Sequence, residues 1–156
     1  MKTVSPLWFI IGFPIYFATL WCSIIWFLAR VGGWARLAKH YPATTVPQGY
    51  RFGGVSASLG WTNYNGCLTA IVAEQGLYLK PWAMFSISHS PLLIPWSALS
   101  PITERKFMWA KSGSTQISLP DGSSIKLTLN TTTLVEAMQA KMGSNAVERS
   151  DSAWSN

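Results

Sequence analysis

The sequence predicts one transmembrane helix followed by a single small, mainly-β domain that ends in an amphipathic helix. Three observations carry this reading. Leu7 to Ala29 form an apolar run without a charge; from Tyr50 onward the apolar period changes from helical to alternating; and Leu134, Val135, Met138 and Met142 return to helical spacing. Of the 156 residues, the membrane run and a polar tail leave about 100 for the domain, the size of one folding unit.

At ~1.5 Å per residue the apolar run covers about 34 Å, enough to cross a ~30 Å hydrocarbon core. It is longer than the ~7–15-residue core of a cleavable signal, and its end, Phe27-Leu28-Ala29-Arg30, offers no small-x-small site. Residues 1–30 therefore read as a retained signal anchor. Trp8, Trp26 and Trp34 lie near its ends, where an interfacial belt places them. Gly12 and Pro14 are possible kink points. Cys22 follows bulky Trp21 where a lipoprotein signal wants a small residue, so it reads as a bilayer residue. Before the run stand Lys2 and the terminal amine; after it come Arg30, Arg36, Lys39 and His40. This excess predicts a single-pass membrane protein with its N-terminus outside and its C-terminal domain cytoplasmic.

Residues 31–49 form the juxtamembrane segment. Gly32-Gly33 break the helix, and Trp34 to Tyr41 start another, with Trp34, Leu37, Ala38 and Tyr41 on one face and Arg36, Lys39 and His40 on the other. Two readings fit. The segment lies in the headgroup layer, with Trp34, Arg36, Lys39 and Tyr41 as membrane-interface residues, or it packs on the domain. Pro42 and Pro47 then bracket a Thr-rich linker.

The formal charge of +6 is unevenly placed. Residues 1–40 carry four basic side chains and no acid, whereas the remainder carries eight Lys/Arg against six Asp/Glu. A nucleic-acid binder spreads its basic residues over the folded domain, so nucleic acid is not an expected partner. Cys22 and Cys67 lie in the membrane run and the domain respectively, and supply no disulfide framework.

Within the domain, residues 50–143, the first expected strand is Arg51 to Trp61, Gly- and Ser-rich and prone to a bulge. Thr62 to Gly66 reads as a loop on its Asn65-Gly66 turn signal. Cys67 to Glu74 and Leu77 to Lys80 form a strand pair across Gln75-Gly76. Ala83 to Ser88 is a weaker strand, Leu92 to Trp96 an apolar one, and Ser97-Ala98-Leu99 a single helical turn. Ile102 to Lys111, Gln116 to Leu119 and Ser124 to Leu129 complete the set, the last two joined by the turn Pro120-Asp121-Gly122-Ser123. Asn130 or Thr133 caps the final helix, Thr133 and Glu136 matching a capping box, and Gly143 marks its end. Residues 144–156 read as a disordered tail.

About seven short strands followed by one helix is the layout of a pleckstrin-homology-like (PH-like) barrel. Gly76-Leu77-Tyr78-Leu79, followed by Leu92-Leu93-Ile94-Pro95-Trp96-Ser97-Ala98-Leu99, resembles the GRAM branch of that superfamily. The resemblance covers roughly residues 50–143. It implies a transmembrane anchor carrying a mainly-β PH/GRAM-like barrel that binds lipid headgroups, peptides or partner proteins rather than catalysing a reaction. Phosphoinositide-binding members usually carry Lys and Arg in the first hairpin loop, and Gly60 to Gly66 has neither.

The residues themselves point away from catalysis. His89 stands beside Ser88 and Ser90, but no G-x-S-x-G elbow is present; Gly54 to Ser58 lacks the final glycine. No H-E-x-x-H, C-x-x-C or Gly-rich phosphate loop occurs, so no metal or cofactor is expected. Exposed tryptophans supply much of the contact energy at binding faces, which makes Trp82 and Trp109 the candidate interaction surface. The expected function is a membrane-anchored adaptor that binds a protein partner, the alternative being a lipid-binding module that uses the juxtamembrane segment and barrel loops.

Overall fold

The computed structural model describes residues 6–86, 89–107 and 110–153. Helix α1 spans Pro6–Val31, and its window Ile10–Phe27, with mean hydropathy 1.8, is long and apolar enough to cross a membrane. Its two aliphatic hydroxyls are satisfied within the helix: Thr19 donates to the Ile15 carbonyl and Ser23 to the Thr19 carbonyl, both at 2.8 Å. An apolar surround leaves them no other partner. Phe13, Phe17 and Trp21 follow one another at i, i+4 and stack with centroids 6.3 and 6.1 Å apart.

Gly33 turns the chain out of α1 with φ of +84°, a left-handed conformation that an L side chain rarely adopts. Helix α2, Trp34–His40, follows at once. Its apolar face is buried on the domain: Trp34 is 0 % exposed and Leu37 is equally covered. The headgroup placement of Trp34 is thereby corrected, and the packed alternative holds. Arg36 and Lys39 face outward, and the half-buried Tyr41 donates from its hydroxyl to the Ser118 carbonyl at 2.7 Å.

Seven strands follow: β1 Gly49–Leu59, β2 Thr62–Ala73, β3 Gly76–Pro81, β4 Leu92–Pro95, β5 Thr103–Phe107, β6 Ala110–Ser118 and β7 Ser124–Leu129. They make one antiparallel sheet in the order β4-β3-β2-β1-β7-β6-β5. The apolar N-terminal helix, the mainly-β domain of seven strands and the terminal helix agree with expectation, but the sheet is not a closed barrel. β4 is four residues long and ends at Pro95, which has no N–H to donate. Its outer edge pairs instead with the chain leaving α2, through a Pro42–Leu92 bridge and the bonds Ala43 N–H to Pro91 O and Leu93 N–H to Tyr41 O. Covering an edge this way satisfies backbone groups that would otherwise template association.

Several boundaries move. The β1–β2 turn is the pair Gly60-Trp61, with Leu59 opposite Thr62, so Thr62 to Gly66 is strand rather than loop. Gly60 has φ of +56°, and a Cβ there would meet the Gly32 carbonyl at 2.9 Å, so the hairpin tip lies against the α1–α2 junction. Asn65-Gly66 lies inside β2, where register shifts against Val55 and Ala57 mark a bulge rather than a reversal. Ala83 to Phe85 is a 3₁₀ turn, not strand. Trp96 to Ala98 forms the expected single turn. Ile102 to Lys111 resolves into β5 and the start of β6.

Helix α3, Thr132–Ala153, starts one residue before Thr133 and runs through Gly143, so residues 144–153 are helical rather than a disordered tail. A single glycine costs a helix about 1 kcal/mol, which the flanking helix formers Ala140, Lys141, Met142 and Ala146 offset. Leu134, Val135 and Met138 press α3 onto the sheet.

Replacing Trp34 with alanine is expected to cost about 3–5 kcal/mol, the range for emptying a large aromatic site in a core. Thermal unfolding of the detergent-solubilised chain checks this; a Trp34→Ala transition within error of the parent would place the indole outside the core.

Candidate binding cleft beside the membrane helix

Strand register brings one face of β1, β2 and β3 into a row. Arg51 lies opposite Ile71, Ile71 opposite Tyr78, and Thr69 opposite Lys80. Because side chains alternate along a strand, these five share the face turned away from Phe52, Ala70 and Leu79. Above them the linker residue Val46 and the 81–86 segment form the walls of a cleft of about 480 Å³. Two cations, Arg51 and Lys80, line it and no carboxylate does. Burial raises the Tyr78 hydroxyl above its ordinary pKa, and the neighbouring Arg51 guanidinium partly opposes that shift. Tyr78 is therefore a neutral hydrogen-bonding group beside a permanent cation at neutral pH.

Trp82 stands at the rim, 53 % exposed, its N–H bonded to the Cys67 carbonyl at 2.9 Å. Of the two tryptophans of the sequence-derived surface, Trp82 is thus exposed, while Trp109 lies outside the described residues. Trp96, by contrast, is buried, and its indole N–H is shared by the Ala73 and Glu74 carbonyls at 3.0 and 3.1 Å. Arg51 and Lys80 were not singled out by sequence reading. The available signal was alternation: each occupies an outward position of a strand whose inward neighbours are apolar.

The cleft lies close to α1. Phe85, in the 3₁₀ turn that follows Trp82, meets Trp21 of α1 with ring centroids 6.0 Å apart, and Ile25 of α1 is 3 % exposed. The domain therefore packs directly on the C-terminal part of the apolar helix.

A second cluster lies behind it. Trp34 packs its ring against Tyr64 and His89, with centroids 5.3 and 5.2 Å away, and donates its indole N–H to the Ser90 carbonyl at 2.9 Å. His89 is 3 % exposed; its Nε2 shares a 3.0 Å hydrogen bond with the Tyr64 hydroxyl, and its Nδ1 is buried without a partner in hydrogen-bonding geometry. Burial holds the imidazole below its ordinary pKa, opposed in part by the Phe85 carbonyl. The same burial, reinforced by nearby Cys67, raises the Tyr64 hydroxyl, so both groups are neutral at physiological pH. Burial also raises the Cys67 thiol, which disfavours a reactive thiolate. Glu74 bonds Lys141, and Asp121 accepts from the Ser123 hydroxyl and amide, so each carboxylate is engaged away from His89. Among the described residues, no three His, Cys, Asp or Glu side chains gather as a metal site would require. Comparison with known protein families and with curated proteins finds no match to this chain.

The sign of the His89 shift fixes a pH dependence. A histidine depressed in the folded state binds its proton more readily once unfolded, so stability is lost as pH falls through the unfolded value of about 6.5. The parent chain is expected to melt at a lower temperature at pH 5.5 than at pH 7.5, and His89→Gln to narrow that gap. An unchanged gap would show that His89 does not set it.

Proposed function

We propose that this chain is a single-pass, non-catalytic membrane protein whose GRAM/PH-like domain contacts anionic lipid at the cytoplasmic face. The observation that carries the reading is the contact of Trp21 with Phe85 of the domain, together with the burial of Ile25 one turn further along the helix. A helix destined for cleavage has no reason to contribute side chains to the folded domain that outlives it; a retained anchor does. The charge excess after the apolar run supports the orientation. The strand order, a four-strand meander joined through β1–β7 to a three-strand meander and followed by a helix, supports the resemblance.

The ligand chemistry follows from the cleft. Arg51 and Lys80 without a lining carboxylate favour an anion, and Arg presents a fork suited to phosphate oxygens. A cleft whose wall segment sets Phe85 against the apolar helix meets phospholipid headgroups before any soluble anion. An acidic segment of a neighbouring membrane protein is the second reading, favoured by the half-exposed Trp82 at the rim. Tethering raises the local concentration of either ligand.

Native mass spectrometry of the full chain in detergent, titrated with phosphatidylglycerol or phosphatidylcholine, separates these readings. The parent should retain phosphatidylglycerol preferentially. At about 1 kcal/mol per surface cation, Arg51→Ala with Lys80→Ala should weaken that retention on the order of tenfold or more. Equal retention by parent and double variant would remove the cleft as the lipid site and leave the protein partner.

A further inference from the structure

We infer that the segment Pro81 to Ser86, with its 3₁₀ turn Ala83–Phe85, is a membrane-dipping finger that enters the bilayer beside α1. The inference rests on α1 being a retained anchor and adds a second point of insertion to it.

Depth is the first argument. Counted from Pro6, a helix rising 1.5 Å per residue needs about 20 residues to cross a ~30 Å core, and so reaches Ile25 at the earliest. Trp21 lies four residues short of that point, about 6 Å inside the boundary. Phe85 packs at a tilt against Trp21, so the turn that carries it sits at the same depth. Phe85 also extends the ring ladder Phe13–Phe17–Trp21, which puts the domain's own side chain in register with the helix's aromatic stripe.

Chemistry is the second. Pro81-Trp82-Ala83-Met84-Phe85-Ser86 contains no charge. Met84 is 66 % exposed and Trp82 53 % exposed, large apolar surface that water does not favour and hydrocarbon does. Part of the turn's backbone is bonded within the protein: Trp82 N–H bonds Cys67 O, Phe85 N–H bonds Trp82 O, Ser86 N–H bonds Ala83 O, and the Ser86 hydroxyl donates to Trp82 O. Each such bond lowers the cost of bringing non-helical backbone toward an apolar surround.

Shape is the third. The Trp61 side chain, at the tip of the β1–β2 hairpin against Gly32, is 92 % exposed beside the end of α1. An amphipathic indole at that level belongs to the headgroup boundary. Trp61 at the helix exit and Met84 further along the helix thus mark two depths on one side of the domain.

Photocrosslinking tests the inference in the full chain reconstituted into phosphatidylcholine vesicles. Met84, Gln75 and Phe17 are replaced in turn by benzoylphenylalanine and lipid adducts are weighed by mass spectrometry. Gln75 lies in the β2–β3 turn, at the opposite end of β3 from Pro81. Insertion predicts adducts at positions 84 and 17, with about tenfold or more lipid adduct at 84 than at 75, as burial at the acyl boundary requires. Adduct at 17 with no excess at 84 over 75 would overturn the finger while leaving the anchor standing. Absence of adduct at 17 would overturn the anchor, and the finger with it.

Discussion

The burial of one indole holds this structure in its particular form. Trp34 follows a two-residue break after α1, and its ring fills a site made by Tyr64 of β2 and His89, while its N–H is taken by Ser90. Three segments far apart in sequence, helix α2, the second strand and the pair His89-Ser90, therefore meet on a single side chain. A fully buried Trp gives up several kcal/mol if removed, more than a flexible linker between anchor and domain would supply. With Trp34 seated and Gly33 left-handed, the direction in which α1 leaves the domain is set, and Trp21 and Ile25 come to rest on it.

The same segment finishes the sheet. A barrel that closed on itself would join β4 to β5; here β4 is short, proline-ended and flanked by 3₁₀ turns, so it has too few donors to extend a ladder. Residues 41–43 occupy its edge instead. Membrane-proximal chain and domain are thus one folding unit, and Tyr41, bonded to Ser118 at the end of β6, spans from one end of the sheet toward the other. The neutral pair Tyr64–His89 lies under this closure. The buried imidazole with one unpartnered nitrogen adds little to stability, and adds less as its unfolded counterpart becomes protonated.

The sequence showed elements more readily than their neighbours. Alternation placed β7 at its observed bounds, β3 and β4 nearly so and the C-terminal part of β2, because a period of two survives whatever a strand packs against. It failed where one pattern has two physical outcomes. The stripe Trp34, Leu37, Ala38, Tyr41 is the same for a helix floating on headgroups and for one pressed on protein; periodicity reveals a face, not what covers it. Asn65-Gly66 carries a turn signal, yet Gly60-Trp61 reverses the chain and the positive φ at Gly66 is spent on a bulge. Gly143 is a natural stop, overridden by the helix formers around it. The cleft was the least legible part. Arg51 and Lys80 are 29 positions apart and meet only through the double register of β1 on β2 and β2 on β3.

Rigidity gives these parts a common logic. Binding through an exposed side chain or loop usually costs the entropy of ordering it. A domain hung on a long linker would also sample many orientations before its cationic face met an anion. Here Gly32-Gly33 is the whole connection between α1 and α2, and both glycines are buried. Most orientational freedom is thus lost in folding rather than at the membrane. The uncharged 81–86 segment forms one wall of the Arg51–Lys80 cleft, so in the proposed arrangement apolar contact and headgroup contact occur together. Neither has to be strong. Two surface cations and one exposed turn would bind a bilayer weakly and transiently as separate pieces. Fixed to a spanning helix at a set depth, as proposed, their combined effect would be to choose which lipid or acidic neighbour sits beside that helix, a selectivity that needs only the difference between ligands and not the full affinity for any one of them.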